Sequence, residues 1–503
     1  MKQSLLRALP FTLALCLALT ACGAPATESD TSTPTSETAE PPANPAAAAE
    51  NAASPAQTAI GAGEAHLLGE TYGGGAAYAL RNVYLLGYPG YSVLTRTDYA
   101  TLAETPVCDK AGCDHLTPDC PAWRFDAFAP VRLFADGNTC YELCDQKNDV
   151  PIGDPQLDAL REETLAAEGG EARILASDEA GCRRLLAAFA PGAVTGVPGV
   201  VETVFGTGVA ADAENLYLLV KERDDNEIIC AVSLLSVNKE TGALRALRSF
   251  TQKDADAEGY SLNDILLEGA AGRTLYLSCK FISQPAEDGQ VTLLGGKALC
   301  FDLDTGAWRD GCAWQADPPD AEGKIHRYQV GVSGRPTGWL TADDTAGSLV
   351  ATDWETGETR ELCTGLPAVD GKHEAYYQAV ETENWYAVTV NEYDRGADGW
   401  VTEGSEQNRL FLVPKAGGDP IELPQRLYTT GHGEDTILIR DEWAGQFYCL
   451  YAYEEGSYQA INKDGSLYTA EDIRDKYGLI PAEELAAGGT DYRPVTPWNE
   501  AAR

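Results

Sequence analysis

The chain has 503 residues and is strongly acidic, with 77 Asp and Glu against 37 Lys and Arg and a net charge of −40. Such a charge disfavours nucleic acids and anionic lipid surfaces as partners, because both would repel it. Cationic ligands and divalent metals remain compatible, although solubility alone is a simpler reason for the charge.

The first residues have the pattern of a secretory signal. Lys2 and Arg7 precede an apolar run from Leu13 to Leu19, which is too short to span a bilayer. The next residues, Leu19-Thr20-Ala21-Cys22, fit the bacterial lipobox. We therefore predict a lipoprotein signal peptide over residues 1–21, cleavage before Cys22 and lipidation of the Cys22 sulfur. Two or more acyl chains would anchor the protein stably at the extracellular face of the cell membrane.

The segment that follows is rich in Ala, Ser, Thr, Pro and Glu and almost lacks large apolar side chains. Such a composition cannot bury enough surface to offset the entropy of ordering. We predict a disordered tether over residues 22–63. Residues 64–503 then form the body, which is too long for one ordinary core unless it consists of repeats.

A β-rich unit recurs about seven times along this body. The clearest copy is 215–247, followed by copies at 274–311, 338–362, 384–423 and 436–461, and preceded by weaker copies at 82–108 and 131–186. Alternating apolar residues, such as Leu216, Leu218 and Val220, indicate strands with one buried face.

A turn with a Thr-Gly pair closes three of these units, at residues 239–242, 303–306 and 354–357. Glycine supplies the positive φ that such hairpin turns need. Units of about four strands at this spacing are typical of propeller blades. We predict an all-β protein, a β-propeller of about seven blades, with six or eight as alternatives and stacked sandwiches as the competing fold.

Helix is scarce in the sequence. Residues 155–168 predict a short amphipathic helix inserted in the second unit. Residues 469–479 predict another, with Thr469 as N-cap and Asp472 three residues later, in a C-terminal appendage that packs on the propeller.

The densest group of chemically distinctive residues is Cys108, Cys113, His115 and Cys120. Three thiolates and one imidazole form a ligand set that zinc accepts, and such a set would be a closed, structural site. Asp114 and Asp119 are candidate acceptors for the imidazole N–H. The spacing does not follow the familiar zinc-finger patterns.

Disulfides are the alternative for the same cysteines, since an exported protein meets oxidising conditions. The body has an even number of cysteines besides Cys22, which permits complete pairing. Most of the others lie in strands, where a free cysteine is a small apolar residue. The sequence leaves structural zinc and disulfides both open.

The lipobox, the low-complexity tether, the β repeats and the early Cys-x4-Cys-x-His-x4-Cys segment resemble a large group of uncharacterised lipoproteins from anaerobic Gram-positive gut bacteria. In that group a strand leads directly into a short Cys/His/Cys segment, as 106–108 does here. The resemblance implies a surface propeller with an unknown ligand and carries over no catalytic residues. An anaerobic host would favour metal over disulfides.

Enzyme signatures are absent from the sequence. Ser333 lies between glycines, but Arg335 occupies the place where a nucleophile elbow needs glycine. His66, His326, His373 and His432 are far apart along the chain. We expect each to be a loop residue or a residue of the top face of the propeller rather than a catalytic base.

Two classes of function remain. The first is a non-catalytic binding module that displays loops to a protein, a peptide or a component of the cell envelope. The second is a carbohydrate-binding or carbohydrate-processing propeller, or a solute-binding lipoprotein. Exposed tryptophans would stack on sugars, and paired carboxylates about 5 to 10 Å apart would support glycosidase chemistry. The tryptophans of the later units are Trp339, Trp354, Trp385, Trp400 and Trp443. We expect most of them to pack within and between blades, and a minority to be exposed at one face of the propeller.

Overall fold

The computed structural model describes most of the body of the chain. The described residues are 60–82, 92–115, 117–124, 131–145, 155–167, 172–282, 293–318, 320, 324–334, 336–370, 373–396, 401–429, 433–461 and 467–498. The predicted signal peptide, Cys22 and most of the predicted tether lie outside this part. The strands form seven sheets of four or five strands and one two-stranded hairpin, in sequence order around a β-propeller. The predicted fold and blade count are confirmed.

The first two blades follow an entering strand, β1 (His66–Leu67), which belongs to the third blade. Blade 1 contains β2 (Tyr72–Gly73), β3 (Ala76–Asn82), β4 (Ser92–Asp98), β5 (Ala103–Pro106) and β6 (Trp123–Arg124), which pairs with β4. Blade 2 contains β7 (Val131–Asp136), β8 (Thr139–Cys144), β9 (Ala172–Ser177) and β10 (Arg183–Phe189), with helix α1 (Pro155–Ala167) between β8 and β9.

Blades 3 and 4 have the longest regular strands. Blade 3 contains β11 (Glu202–Ala211), β12 (Asn215–Arg223), β13 (Ile229–Asn238) and β14 (Leu244–Thr251). Helix α2 (Gln252–Glu258) and a 3₁₀ turn (Leu262–Asp264) lead to blade 4, which contains β15 (Ile265–Ala271), β16 (Thr274–Ile282), β17 (Leu293–Asp302) and β18 (Trp308–Gln315).

Blades 5 and 6 interleave in sequence, because one short strand between them joins the later sheet. Blade 5 contains β19 (Arg327–Gln329), β21 (Trp339–Asp343), β22 (Ser348–Thr352) and β23 (Thr359–Cys363). Blade 6 contains β20 (Gly331–Gly334), β24 (His373–Glu381), β25 (Trp385–Asp394), β26 (Gln407–Pro414) and β27 (Ile421–Leu423), with β20 parallel to β24.

Blade 7 is preceded by the hairpin of β28 (Arg426–Thr429) and β29 (Gly433–Thr436). It contains β30 (Leu438–Trp443), β31 (Gln446–Ile461), β32 (Leu467–Pro481) and β33 (Arg493–Pro494), with helix α3 (Ala482–Ala486) before the last strand.

The helix predicted at residues 469–479 is wrong. These residues belong to β32, which pairs antiparallel with β31 from the register Gln446↔Pro481 to Ile461↔Leu467. Thr, Tyr and Ile favour strands, and the long partner strand satisfies the backbone that a helix would have satisfied internally. The helix predicted at 155–168 is confirmed as α1.

Ring closure brings the first and last blades together. First strands of neighbouring blades contact one another, as in β2 with β7 and β11 with β15, so they lie nearest the axis. β2 also contacts β30 of blade 7. The Tyr99 ring packs on Tyr448 and Trp443 across the same joint, with centroids 4.8 and 5.9 Å away. Large aromatic area between blades stabilises a ring of this kind.

The Thr-Gly turns are stabilised by a residue that sequence reasoning missed. In each turn an Asn or Asp three residues before the Thr accepts backbone N–H groups through its side chain, as Asp302 Oδ1 does from Asp304 and Thr305 at 2.9 and 2.8 Å. The same arrangement begins at Asn238 and Asp353. The predicted glycines follow, and Gly306 has a φ of 67°. Side chains of this type commonly bond to the backbone two residues on.

Residues 60–63, at the end of the predicted tether, contact the propeller. Ile60 is buried and donates its N–H to Leu303 O at 2.8 Å, and Arg273 donates to the carbonyls of Ile60 and Gly63 at 2.6 Å each. The entering chain then crosses from blade 4 over blade 3 to blade 2, through Leu68 N–H to Val209 O and Thr71 N–H to Leu133 O. No helix in the described residues is long and apolar enough to span a membrane.

Candidate metal centre

The four predicted ligands lie together in the loop between β5 and β6. One ligand atom from each of Cys108, Cys113, His115 and Cys120 lies within 4.8 Å of the other three. A tetrahedral zinc with Zn–S bonds of about 2.3 Å holds its sulfurs about 3.8 Å apart. The donor types and their separation therefore fit a metal ion with little movement, and zinc itself is not established.

Two tight turns bring these residues together. Cys113 N–H donates to Lys110 O at 3.1 Å around Gly112, whose φ is 74°, and Cys120 N–H donates to Thr117 O at 3.0 Å. Pro118 occupies the second position of the latter turn, where its fixed φ is favourable. His115 itself has a φ of 61°, an uncommon conformation that directs its ring toward the cluster.

The imidazole faces the sulfurs through Nδ1, which lies 3.3 Å from Cys120 Sγ. Burial lowers the pKa of His115, against an opposing effect of the Asp114 charge, so the ring stays neutral, the state that binds metal. The Asp114 charge acts on the ring electrostatically. The backbone carbonyl of Asp119 accepts from Lys110 Nζ at 3.4 Å.

Cys120 is the most buried ligand, and its Sγ accepts the Ala122 N–H at 3.4 Å. Burial and the neighbouring Cys113 and Cys108 thiols raise the pKa of Cys120 to about 12. Without a cation the Cys120 thiol would therefore stay protonated at neutral pH, whereas a bound metal ion deprotonates a coordinating thiol.

The loop packs on a small apolar cluster and on the chain end. Val93, Ala122 and Trp123 are buried beneath it, and Trp498 covers it, with its ring edge-on to His115 at a centroid distance of 5.9 Å. The C-terminal segment is fixed there because Glu104 N–H donates to Thr496 O at 3.0 Å. The cluster therefore lies close to the joint between blades 1 and 7.

Blade 2 holds the other side of the loop. Arg124 directly follows it and is 1% exposed, and its guanidinium donates to both carboxylate oxygens of Glu142. It also donates to Pro121 O, Trp123 O and Ser177 Oγ at 2.7, 2.8 and 3.0 Å. Sequence reasoning missed this residue; an Arg within the apolar 120–124 run was the available signal.

The β9–β10 turn of blade 2 approaches the loop closely. Asp109 N–H donates to Ala180 O at 3.1 Å. A Cβ on Gly181 would lie 2.3 Å from Val107 O, and Gly181 has a φ of 84°, so only glycine fits there. The Cys/His loop is therefore held by blade 1, blade 2 and the C-terminal segment together.

All twelve cysteines in the described residues are free. Eight of them lie within strands, and Cys140, Cys279 and Cys449 are fully buried. This agrees with the expectation that strand cysteines are small apolar residues. The disulfide alternative for the loop finds no bonded pair among the described residues, although its three sulfurs are neighbours.

The other described histidines are held by carboxylates. His326 contacts Asp344 and Asp320 at 2.8 and 3.1 Å, and His373 contacts Asp394 and Glu392 at 3.0 Å each. The rings are thus held in ion pairs with acids on their own or adjacent elements. His432 lies outside the described residues.

The predicted tryptophans that lie in the described part of the chain pack within and between blades. Trp339 and Trp354 are 3% and 4% exposed in the core between blades 4 and 5, and Trp354 stacks on Tyr276 at 4.9 Å. Trp385 and Trp443 pack in the clusters around blade 7. Trp400 lies outside the described residues.

Comparison with known proteins adds the following. No protein-family model matches the chain, and no curated protein matches it. Among solved structures, the β-propeller domain of the Trilobed protease from Pyrococcus furiosus is 10% identical, covers 71% of this chain and 92% of that chain, and has a TM-score of 0.26.

The GH43_1 enzyme from Xanthomonas citri complexed with xylotriose is 10% identical over 55% of this chain and 92% of that chain, with a TM-score of 0.23. The WD40 domain of SCAP from fission yeast is 10% identical over 82% of this chain and 75% of that chain, with a TM-score of 0.23. At such TM-scores the matches carry no argument about function. The propeller is established by the strand order of the chain itself.

Proposed function

We propose that this protein is a lipid-anchored, non-catalytic binding propeller at the extracellular face of the cell membrane, and that its Cys/His loop holds a structural zinc ion. Its ligand would be a protein, a peptide or a component of the cell envelope. The observation that carries the proposal is the closed set of four soft ligands on a loop held by both neighbouring blades and the chain end.

Four protein ligands leave no open position for substrate, so the role of such a metal is structural. Zinc would join residues of one loop that otherwise has two short turns and a small core. The loop would then form a fixed part of the surface beside the joint of blades 1 and 7. A rigid surface binds with a smaller entropic cost than a flexible loop.

The ion-paired histidines support a role without catalysis. A general base must reach its substrate with a free nitrogen. His326 and His373 each place both ring nitrogens against carboxylates, and His115 turns one nitrogen to the thiols. A carbohydrate-binding or carbohydrate-processing propeller, or a solute-binding lipoprotein, is the alternative.

Cell fractionation tests the anchor. The full-length protein, expressed in a Gram-positive host, should be found in the membrane fraction and carry a lipid on Cys22. A Cys22→Ser variant should be released to the medium, while a Cys230→Ser variant should remain at the membrane. Equal release of all three forms would contradict the anchor.

Activity assays test the absence of catalysis. The purified protein should leave a panel of aryl glycosides and peptide substrates unchanged at rates above the buffer background. Turnover that persists after a second purification, and that a substitution in the propeller abolishes, would show an enzymatic role instead of the proposed binding role.

A further inference from the structure

A cavity of about 280 Å³ is lined by residues of blades 2 and 3. Its walls are Arg132 of β7, Asp145 after β8, residues 204–207 of β11, and Lys221 and Arg223 of β12. Three cations and one carboxylate therefore line it, in a chain whose acidic residues outnumber its basic ones two to one. The lining of this cavity is therefore mainly cationic, whereas the protein as a whole is acidic.

The local backbone creates this cavity. The pairing of β11 with β12 is interrupted between Phe205 and Val209. Bulges of this kind re-aim side chains and often border binding sites. The freed Gly206 carbonyl accepts from Arg132 Nη1 at 2.7 Å, and the Phe205 N–H donates to Asp145 Oδ2 at 2.9 Å. These bonds fix Arg132 and Asp145 against the bulge.

Lys221 and Arg223 project from the same face of β12, two residues apart. Tyr217 and Leu219 precede them on this face and are buried in the core, so lysine and arginine continue an apolar row. Lys221 is 7% exposed, and its Nζ donates to Asn263 O at 2.6 Å. An ammonium has three N–H donors, so one carbonyl leaves it capacity for further acceptors.

The arginines also carry unused donors. Nη2 of Arg132 and Nε of Arg223 are buried without a hydrogen-bond partner in the described residues. The Asp145 carboxylate lies 4.0 Å from Arg132 Nη2, and Glu202 lies 3.4 Å from Arg223 Nη1. Burying a donor without an acceptor costs about 1–3 kcal/mol, and more for a charged group. An acceptor from outside the chain would remove this cost.

We propose that this cavity binds the oxyanion group of a small organic anion, a carboxylate or a phosphate, between Arg132, Lys221 and Arg223. Planar guanidinium groups match such oxygens in two-point geometry. Val204 and Phe205 also line the cavity, and both are largely buried. The volume is at the small end of known ligand pockets, which suits a single sugar acid or sugar phosphate rather than a polymer segment.

This inference rests on the proposed binding role and names a ligand class for it. Its failure is distinguishable, because anchoring and metal content are measured on Cys22 and on the Cys/His loop. Loss of the anion site would not change the results for the anchor and for the metal. A ligand on another surface of the propeller would also stay compatible with the binding role.

Calorimetric titration of the full-length protein tests the proposal. The probes are glucuronate, glucose 1-phosphate and glucose, which share a ring and differ in the anionic group. We expect one or both anions to bind and glucose not to bind, and the better anion identifies the oxyanion. Equal binding of glucose, or no binding of either anion at millimolar concentration, would overturn the proposal.

Variants locate the site. Arg223→Gln and Lys221→Gln should each weaken anion binding at least ten-fold, whereas Lys253→Gln removes an exposed cation of α2 and should change nothing. Asp145→Asn removes the lining carboxylate and should tighten binding. Arg223 is 30% exposed at its side chain, so its variant should fold even if that of Lys221 does not. Unchanged affinity in Arg223→Gln with a normal melting temperature would contradict the site.

Discussion

Arg124 and Glu142 form a two-point ion pair between the Cys/His loop and blade 2, with Nε–Oε2 and Nη2–Oε1 distances of 2.6 and 2.7 Å. Both side chains are 1% exposed. Their hydrogen bonds to Ser177 and to two carbonyls complete a buried polar network. The pair therefore connects the Cys/His loop to the rest of the propeller.

Removing one member of this pair should destabilise the protein strongly. Arg124→Ala removes the two-point partner of the buried Glu142 charge and leaves it only Arg183 Nε at 3.7 Å and the Ser177 hydroxyl at 3.0 Å. Removing one partner of a buried ion pair costs about 3–5 kcal/mol in comparable cases. Chemical denaturation should show this loss in the free energy of unfolding. The matched control, Arg96→Ala, breaks a more exposed pair with Asp98 and should cost about 1 kcal/mol or less. Equal losses for the two variants would contradict the importance of burial.

Acid should weaken the same contact. Burial alone would raise the pKa of Glu142, but Arg124 and Arg183 lower it from 4.5 to about 2. A carboxyl with a depressed pKa stabilises the fold above its ordinary pKa, and this contribution is lost as the pH falls toward 2. Glu142→Gln should therefore make unfolding less dependent on pH between about 4.5 and 2. Melting temperatures across this range measure it, and an unchanged slope would contradict the assignment.

Two histidines should make the junction of blades 5 and 6 more stable at mildly acidic pH. Asp344 and Asp320 raise the pKa of His326, and Asp394, with Glu392, raises that of His373. A raised pKa gives stability that is complete below about 6.5 and is lost as the pH rises through the folded value.

The double variant His326→Gln/His373→Gln should reduce the difference in melting temperature between pH 6 and pH 8. Both rings are about one-third exposed, so each contributes roughly 1 kcal/mol or less. A wild-type protein that is more stable at pH 8 than at pH 6 in this region, by hydrogen exchange of β24, would contradict the expectation.

Anion binding at the cavity should weaken in alkaline solution. Burial, together with the Arg223 and Arg132 charges, lowers the pKa of Lys221 to about 8, against an opposing effect of Asp264. Lys221 is therefore charged below about pH 8 and loses its charge above it. The affinity for glucuronate, whose own charge is constant from pH 6 to 9, should fall several-fold across this range, and Lys221→Gln should remove most of the change.

Trp498 should help to retain the metal. Its ring packs edge-on to His115, and its backbone N–H donates to Glu104 Oε2 at 3.3 Å. Groups that orient a ligand residue commonly change metal affinity by about 10–100-fold. Competition with a zinc chelator should show at least a ten-fold loss for Trp498→Ala. Trp314→Ala, which removes a half-buried tryptophan between blades 4 and 5, should retain zinc normally.

The strands and their turns could be predicted because local patterns specify them. The apolar alternation along 215–223 falls in β12, and the Thr-Gly pairs at 241–242, 305–306 and 356–357 each lie in the turn of one hairpin. Strand β32 could not be predicted in this way. Thr469 and Asp472 fit a local helix-capping pattern, whereas the pairing of β32 with β31 depends on residues that are distant in sequence. In such a segment, strand pairing in the tertiary structure overrides the local preference for a helix.

The candidate metal centre was predictable since its four ligands lie within thirteen residues of sequence. The cationic cavity was not, because Arg132 and Lys221 are far apart in the chain and meet only when blades 2 and 3 pack. The signal in the sequence was that Lys221 and Arg223 continue the row of buried residues Tyr217 and Leu219 on β12. A charged residue at a core-facing position is a candidate for function rather than for packing.

Metal content is the most direct test of the central claim. Full-length protein, purified without oxygen and without chelators, would be analysed by inductively coupled plasma mass spectrometry together with thiol counting. The account predicts about one equivalent of zinc, lost in Cys113→Ser and in His115→Ala and kept in Cys182→Ser, whose sulfur lies on an exposed turn. Absence of metal, with Cys108, Cys113 or Cys120 protected as disulfides, would contradict it.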